Sequence, residues 1–431
     1  MKVAVVGAGW AGCAAAVESM RLGHQATLFE TARTAGGRAR RVAATVSGQP
    51  VTLDNGQHIL IGAYSETLRL MTELGIDVEA SLLRLPLTLQ SFDGSGIKLP
   101  RLPAPLDAFT GILTARGWSW ADKHSLLKVA IGWQLRGFKC GTGESVTDLS
   151  KALTPGVIAS LIEPLCVSAL NTPPERASGQ VFLRVLRDAL FSKSGGSNLL
   201  LPRVDLSTLL PDAALAWLAV RGGLTHLGAR VHSVTPAASG WRVITDTHTI
   251  FDRVILACPP HEAARLVEGS GVAADGWLAQ ARSLQHEALT TVYAQAPDAR
   301  LSQPMLLLRP GINEPAQFVF DRGQLGGPAG LLAFVISASL GDSATLTSQV
   351  LAQAARQLGL STPKSVQTIV EKRATFACTP GLQRPAAEVA AGLLACGDYI
   401  AGPYPATLEG AVRSGLEAAR RGSAKPCPRF I

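Results

Sequence analysis

The chain has 431 residues, 47% hydrophobic and 17% charged, a composition that excludes intrinsic disorder and a length that allows two domains. Its forty basic and thirty-two acidic residues give a net charge of +8, and its mean hydropathy of +0.22 is high for a freely soluble protein. No apolar stretch reaches the roughly eighteen residues of a transmembrane helix, so we expect contact with a membrane surface and no span.

The excess of positive charge suits an anionic partner, and both nucleic acid and anionic lipid qualify. The basic residues form no aromatic-interleaved stripe and match no nucleic-acid motif, so we expect no nucleic-acid partner and favour lipid. A generally basic surface without a partner is the alternative. Seven scattered cysteines with no C-x-x-C pair predict no metal site and suit a reducing compartment. We therefore expect a cytoplasmic protein in peripheral contact with the inner face of the membrane.

The first thirty residues predict a strand, a glycine turn, a helix and a second strand. Residues 2–6 are apolar, Gly7, Gly9 and Gly12 form G-x-G-x-x-G, and an alanine-rich run follows. In such a unit the glycines permit a tight turn, let the backbone approach a pyrophosphate, and let helix and strand pack closely. The helix N-terminus adds free amides and a partial positive charge, so the motif predicts a dinucleotide site.

Two further signals narrow the choice of dinucleotide. Glu30 ends the predicted second strand about twenty residues after the glycines, where an acid accepts hydrogen bonds from the adenosine ribose. A second glycine pair and a guanidinium follow in Gly36-Gly37-Arg38, an arrangement that suits FAD more than NAD. For Arg38 alone, a solvated surface cation is the alternative.

Beyond this unit the patterns alternate between helix and strand. Residues 82–106 are rich in proline and leucine and match regular structure poorly, so they predict the entry into a second domain. Residues 107–195 are mostly helical by apolar spacing, residues 230–257 alternate as strands, and residues 285–377 contain five further strand candidates.

The C-terminal part predicts a return to the nucleotide domain. A strand runs into Gly397-Asp398, and a final helix opens near Pro405 with Thr407 and Leu408 in its first turn. The amides of such a helix can face the electron-rich edge of a flavin.

We therefore predict an α/β protein with a discontinuous Rossmann-type FAD-binding domain and a second, substrate domain of helices plus a mainly antiparallel sheet. The predicted FAD-binding domain consists of residues 1–80, 201–268 and 381–431. The predicted substrate domain consists of a helical part, residues 81–200, and a sheet part, residues 269–380.

These motifs together resemble the flavin-dependent amine oxidase and phytoene desaturase superfamily over the whole chain. Within it, residues 53–64, 164–175 and 201–207 resemble the squalene-associated branch, which includes hydroxysqualene dehydroxylase of hopanoid biosynthesis. One departure is the stretch from Tyr399 to Tyr404, where the family pattern leads us to expect a Trp-Thr pair after the aspartate.

The resemblance implies contacts with FAD along the chain. It implies a pyrophosphate at the glycine loop, the ribose at Glu30, phosphates at Gly37 and Arg38, adenine against Val231, and the ribityl chain at Asp398. The full set of expected cofactor-binding residues is Gly7, Gly9, Trp10, Ala11, Gly12, Glu30, Gly37, Arg38, Gly56, Gln57, His58, Val231, Gly397, Asp398, Thr407 and Leu408.

The implied activity is the reductive removal of a hydroxyl from hydroxysqualene to give squalene, with FAD and an unidentified electron donor. The alternatives are a carotenoid-type desaturase, which runs the flavin in the opposite direction, and a membrane-surface scaffold that only binds terpenoids. His58 is the first candidate for the proton donor because the resemblance places it beside the isoalloxazine, and a histidine merely bonded to backbone is its alternative. Tyr64 and Asp54 are weaker candidates.

Overall fold

The computed structural model describes residues 1–103, 105–190 and 195–421. Residues 104, 191–194 and 422–431, which belong to the predicted segments 81–200 and 381–431, lie outside the described residues. The helices are Trp10–Arg21 (α1), Ser65–Glu73 (α2), Val78–Ser81 (α3), Leu106–Thr114 (α4), Trp120–Leu135 (α5), Val146–Ser150 (α6), Pro155–Val157 (α7), Glu163–Leu170 (α8), Gly179–Leu190 (α9), Leu206–Leu209 (α10), Pro211–Val220 (α11), Pro260–Ser270 (α12), Asp275–Ser283 (α13), Ser343–Leu358 (α14) and Leu408–Arg420 (α15).

The strands are Lys2–Val6 (β1), Gln25–Glu30 (β2), Arg41–Val46 (β3), Gln49–Asp54 (β4), Leu60–Ile61 (β5), Leu82–Leu85 (β6), Thr88–Gln90 (β7), Gly96–Lys98 (β8), Leu199–Pro202 (β9), Leu224–Leu227 (β10), Ser233–Ala237 (β11), Gly240–Ile244 (β12), His248–Phe251 (β13), Arg253–Leu256 (β14), His286–Gln295 (β15), Met305–Leu307 (β16), Phe318–Asp321 (β17), Leu331–Ser337 (β18), Lys364–Phe376 (β19), Glu388–Ala390 (β20) and Leu393–Ala395 (β21).

The nucleotide-binding part is built on a six-stranded sheet in the order β10-β2-β1-β14-β21-β20. Its strands pair in parallel except for β20, which runs antiparallel to β21. Parallel strands are buried on both faces, which explains why β1 and β14 are nearly continuous apolar runs. Because the strands come from the beginning, the middle and the end of the chain, this α/β sheet is discontinuous in sequence, as predicted.

A second sheet is antiparallel throughout, in the order β16-β17-β18-β15-β19. The five strand candidates between residues 285 and 377 are therefore confirmed. Strand β18 is buried over its whole length, and α14 covers the side of the sheet that carries Val292, Phe334 and Ile336. The opposite side of the sheet is free to line a cavity.

Two predictions of local structure were wrong. Residues 82–106, expected to lack regular structure, include β6, β7 and β8, and β6 pairs with β9, more than a hundred residues later. A partner so distant in sequence leaves no local signal in strands of three or four residues. The strand expected from residue 230 begins only at Ser233, because the carbonyls of Val231 and His232 accept hydrogen bonds from Arg265 instead.

Helices α1 and α15 pack so closely that their backbones nearly touch. A Cβ added to Gly415 would lie 2.2 Å from the carbonyl oxygen of Ala11, a distance that no side chain can occupy. In the same helix, the fully buried Glu409 accepts hydrogen bonds from the amides of Glu66 and Thr67 at the start of α2. The carboxylate thus caps α2, where a negative charge is favourable. No helix among the described residues is long and apolar enough to cross a membrane.

We predict that Gly415→Ala lowers the free energy of unfolding by about 1–3 kcal/mol, the usual cost of forcing a methyl into a packed interface. Gly269→Ala is the matched control, because Gly269 lies in α12 with open space at its Cβ position, so alanine should be neutral or slightly stabilising there. Urea unfolding of both variants measures the difference. Equal stability of the two would contradict the close packing of α15 on α1.

Candidate functional site

A cavity of about 600 Å³ lies between the two sheets and the helical region. Its polar end contains the glycine loop, and its other end is lined by apolar side chains of α8, β15, β17 and β18. The volume falls within the range of cofactor and ligand pockets. Of the sixteen residues expected to bind the cofactor, all line this cavity except Gly12 and Gly56.

The glycine loop forms the floor of the polar end. Gly7 has a φ of +111°, and a Cβ there would lie 2.7 Å from the carbonyl oxygen of Ala257. Gly12 sits behind the loop, where a Cβ would lie 1.8 Å from the carbonyl oxygen of Gly7, so its role is to let α1 approach β1. Gly9 is the N-cap of helix α1 and offers no side-chain cap, and the first amides of the helix have no intrahelical acceptor. The loop is therefore suited to an anion.

Glu30 lies at the end of β2 with its carboxylate held by two backbone amides. Its Oε2 accepts a hydrogen bond from the amide of Ala8 at 2.8 Å, and its Oε1 accepts one from the amide of Ala32 at 2.8 Å. Each carboxylate oxygen can accept a further bond. Glu30 is thus oriented toward the cavity and able to take the two hydroxyls of a ribose.

Arg38 joins the N-terminal and C-terminal parts of the site. Its guanidinium donates to Oδ1 of Asp398 at 2.6 Å and to the carbonyl oxygen of Ala374 at 2.6 Å. Asp398 is buried, with its side chain 8% exposed, and lies three residues after the end of strand β21. The side chain of Arg38 is thus fixed at the edge of the cavity by two partners, while 36% of it stays exposed.

The first turn of α15 closes the same edge. Thr407 is the N-cap of the helix, and its hydroxyl accepts a bond from the amide of Gly410 and donates one to the carbonyl oxygen of Tyr404. Its side chain is occupied by capping, while Thr407 and Leu408 line the cavity. The helix therefore presents its N-terminus to the pocket, as predicted.

Tyr399 is the residue that stands where the family pattern led us to expect tryptophan. It lines the cavity, and its buried hydroxyl has no hydrogen-bond partner in the described parts of the chain. A buried polar atom without a partner is costly unless a ligand satisfies it. This orphaned hydroxyl, together with the free amides of α1 and the oriented carboxylate of Glu30, fits a bound FAD.

His58 lies at the junction between the polar and the apolar ends. Its Nδ1 is 2.8 Å from the carbonyl oxygen of Gly56, which can only accept, so Nδ1 carries the hydrogen and Nε2 is left as an acceptor in the neutral ring. Burial lowers the pKa of His58, the bond to Gly56 opposes that shift, and the charge of Arg38 adds to it. At neutral pH the ring is therefore mainly unprotonated.

The other two candidates for the proton donor, Asp54 and Tyr64, differ in whether they line the cavity. Burial raises the pKa of Asp54 to about 6, but its carboxylate bonds the amide of Leu206 and does not line the cavity. Tyr64 does line the cavity, and burial, reinforced by the charge of Glu409, raises the pKa of its hydroxyl well above the ordinary value. Tyr64 therefore keeps its proton at neutral pH, which makes it a hydrogen-bond donor but a weak acid.

The apolar end consists mostly of residues that the sequence alone did not single out. Among the apolar residues of the helical region, Val167 and Leu170 of α8 line the cavity, while Leu161, Ile162 and Phe182 are packed in the core. The missed residues are Leu289, Phe318, Phe320 and Val335. Phe318 and Phe320 are two apart on one strand, so period-two spacing was the available signal, but nothing local showed which face met a cavity.

We predict that Glu30→Ala weakens FAD binding roughly 10- to 100-fold, because hydrogen bonds to a charged group are worth about 1.5–3 kcal/mol. Fluorescence titration of the apoprotein with FAD measures the dissociation constant. Glu268→Ala on α12, which removes an exposed carboxylate outside this cavity, is the control and should leave the constant unchanged. Unchanged affinity in Glu30→Ala would remove the ribose assignment.

Comparison with known proteins gives the chain its family. Residues 10–421 match the model of the flavin containing amine oxidoreductase family. The chain is 28% identical to hydroxysqualene dehydroxylase of Rhodopseudomonas palustris, with 97% of each protein covered. It is 25% identical to the enzyme of the same name from Zymomonas mobilis, with 96% of this chain and 97% of that protein covered. Zeta-carotene desaturase of Synechocystis is 31% identical, but over only 28% of this chain and 25% of that protein.

Solved structures share the fold at low identity. An oxidoreductase from Methanosarcina mazei superposes with a TM-score of 0.73 at 17% identity, covering 98% of this chain and 100% of that one. Cyclohexylamine oxidase of Brevibacterium oxydans gives a TM-score of 0.69 at 15% identity, with 98% of both chains covered. The dinucleotide fold, the cavity and the family match agree on FAD as the cofactor. The chain belongs to the flavin-containing amine oxidoreductase family.

Proposed function

We propose that this flavin-dependent oxidoreductase removes the hydroxyl of hydroxysqualene to form squalene, a step of squalene and hopanoid biosynthesis. The observation that carries the proposal is one continuous cavity with an FAD-binding end and an apolar end. The near full-length similarity to two hydroxysqualene dehydroxylases supports the choice of substrate. A further support is the lack of a charged side chain among the residues that α8, β15, β17 and β18 contribute to the cavity.

The apolar end is suited to a hydrocarbon chain. Phe318, Phe320, Leu289 and Val335 lie on the side of the antiparallel sheet that α14 leaves uncovered, and Val167 and Leu170 add the helical wall. Apolar surface transferred from water into such a wall contributes about 25 cal/mol per Å². An isoprenoid is therefore held by burial, with no need for directional contacts along its length.

The reaction requires a proton on the departing oxygen and a hydride on the carbon that it leaves. Bound FAD, once reduced by a two-electron donor, supplies the hydride. The carbon–oxygen bond breaks, the hydroxyl leaves with a proton as water, and a carbon–hydrogen bond replaces it. An apolar surrounding keeps water from capturing the electron-poor carbon.

His58 and Tyr64 are the two side chains of the cavity that we consider for binding the substrate hydroxyl and for proton transfer to it. The neutral ring of His58 offers Nε2 as an acceptor, and the raised pKa of Tyr64 keeps its hydroxyl protonated. The raised pKa makes Tyr64 a weak acid, so we keep protonated His58 as the first candidate for the proton donor, and Tyr64 can donate a hydrogen bond to the substrate hydroxyl. The histidine merely bonded to backbone stays the alternative for His58.

A carotenoid-type desaturase is the second candidate. The similarity to zeta-carotene desaturase favours it, although that similarity covers about a quarter of either protein. The same cavity accommodates a polyene, and the direction of electron flow is what separates the two reactions. A scaffold without a flavin is opposed by the oriented Glu30 and the intact glycine loop.

We predict that His58→Ala slows turnover about a hundredfold or more, as expected for loss of a group engaged in proton transfer, while FAD remains bound. His248→Ala, an exposed histidine on β13, is the matched control and should keep full activity.

If protonated His58 is the donor, the wild-type rate rises as the pH falls below 6.5, the ordinary pKa of histidine, because burial keeps the ring neutral above it. A flat profile together with an inactive Tyr64→Phe variant would assign the proton to Tyr64.

The proposed reaction is tested directly under anaerobic conditions. The FAD-loaded protein is reduced with dithionite, hydroxysqualene is added, and flavin reoxidation is followed by absorbance while squalene is followed by mass spectrometry. We expect one squalene for each flavin reoxidised. Two results together would replace the proposal by the desaturase. Reduced flavin would stay reduced in the presence of hydroxysqualene, and oxidised flavin would be reduced by a polyene that still has carbon–carbon single bonds to desaturate.

A further inference from the structure

The exposed apolar side chains of this protein are concentrated in one place. Seven of the fifteen exposed large hydrophobic residues in the described chain lie within residues 102–135. Six of these are on α4 and α5: Leu106, Phe109, Leu113, Trp120, Ile131 and Leu135. We call these six residues the α4–α5 surface. Scattered apolar residues need no explanation, but a cluster of this kind marks a site of contact.

Helix α4 already has a buried face, so its exposed residues are not needed by the core. Gly111 and Ile112 point inward, and a Cβ on Gly111 would lie 2.4 Å from Cδ2 of Leu99. Leu106, Phe109 and Leu113 are spaced three and four residues apart, which places them on one outward stripe of the helix. Half of the Phe109 side chain is exposed.

Helix α5 repeats the arrangement. Leu126 and Trp133 are its buried residues, while Trp120 is 77% exposed and Leu135 is 83% exposed. At 3.6 residues per turn, Trp120, Ile131 and Leu135 fall within a sector of about 60°, opposite the buried pair. The helix thus carries apolar residues on the face that meets the protein and, beside the exposed His124, on the face that meets solvent.

The net charge around this surface is positive. Between Lys98 and Lys139 the sequence has seven lysines and arginines and two aspartates, a net charge of +5 where the whole chain carries +8. Asp107 is buried, and Asp122 is engaged by the amide and hydroxyl of Ser119 and the hydroxyl of Thr154. Both carboxylates are already counted in the net charge of +5, so the surface stays positive.

Lys123 ties the two helices together at this face. Its Nζ donates to the carbonyl oxygen of Leu113 at 2.8 Å and lies 5.2 Å from the centre of the Trp120 ring. Exposed Leu113 at the end of α4 and exposed Trp120 at the start of α5 are therefore parts of one surface. Tryptophan, aliphatic side chains and flanking lysines are the combination found where proteins meet the lipid–water interface.

We propose that the α4–α5 surface docks onto a bilayer of anionic lipid, with its apolar side chains among the lipid chains and the surrounding lysines and arginines at the phosphates. A second copy of this chain is a poorer occupant, because a symmetric contact would bring two patches of +5 together. The surface is distinct from the cavity and goes beyond the proposed reaction. It is joined to the cavity by the bond between Asp122 and Thr154 and by the helical run from Pro155 to Leu170.

Vesicle binding of the FAD-loaded full chain tests the proposal without any substrate. Vesicles of phosphatidylcholine, with and without phosphatidylglycerol, are sedimented with the protein. We expect binding to the mixed vesicles and its loss in the variant Trp120→Ser, Ile131→Ser, Leu135→Ser. The matched control is Val220→Ser, Ile312→Ser, Leu340→Ser, which removes three equally exposed apolar residues elsewhere and should bind as wild type does.

The charge component is measured separately. Replacing Lys128, Arg136 and Lys139 by glutamine should weaken binding to anionic vesicles on the order of a hundredfold, because each basic residue near such a surface contributes about 1 kcal/mol. Replacing the exposed Arg300, Lys364 and Lys372 by glutamine removes the same charge elsewhere and should have a much smaller effect. Bound flavin and the thermal midpoint show that each variant is folded.

Three results would overturn the proposal. The wild-type chain binds neither kind of vesicle, or the α4–α5 variant binds as well as the wild type, or that variant converts a dimer into a monomer without a change in lipid binding. The last result would assign the surface to a second copy. None of them bears on the turnover of hydroxysqualene, which the anaerobic assay tests by itself.

Discussion

The close contact between α1 and α15 is the constraint on which the rest of the structure depends. Gly415 lets the last helix lie against the carbonyl of Ala11, at the first turn of the helix that follows the glycine loop. From that position the same helix places Glu409 as a cap on α2 and Thr407 at the edge of the cavity. Helices α1 and α15 are thereby held together beside the cofactor site, and a shift of α15 would move all of these groups at once.

The charged side chains at the site are held in place by other groups of the protein. Two charged side chains at the cavity are held by partners within the protein: Arg38 pairs with Asp398, 360 residues away, and Glu30 accepts hydrogen bonds from the amides of Ala8 and Ala32. Such pairing fixes the side chains before a ligand arrives, so little ordering cost remains on binding. At the junction with the apolar end, the neutral ring of His58 and the protonated hydroxyl of Tyr64 provide polar atoms without net charge. This suits a substrate whose only polar group is one hydroxyl.

The helical region both buries and exposes apolar side chains. It must bury enough apolar surface to fold, which Ile112, Leu126 and Trp133 provide, and α4 and α5 also expose apolar side chains to solvent. A net positive charge surrounds the exposed residues, which favours a soluble, monomeric chain. A reaction on a water-insoluble isoprenoid gives a reason for such an arrangement, since the substrate partitions into lipid.

The sequence by itself determined the nucleotide-binding unit, its discontinuity and the cofactor. Gly7, Gly9, Gly12 and Glu30 could be placed because their spacing within strand, turn and helix is a local property. Fourteen of the sixteen expected cofactor residues line the cavity, and the strands of the antiparallel sheet were located by their alternation.

Only the tertiary structure decided what depends on distant partners. The pairing of β6 with β9, the engagement of Arg38 by Asp398, the apolar wall of Phe318 and Phe320, and the unprotonated state of His58 all arise from residues far apart in sequence. The exposure of the outward apolar faces of α4 and α5 was likewise decided only by the tertiary structure. A helical pattern shows which residues share a stripe, but burial against the rest of the chain determines which stripe is left for solvent or lipid.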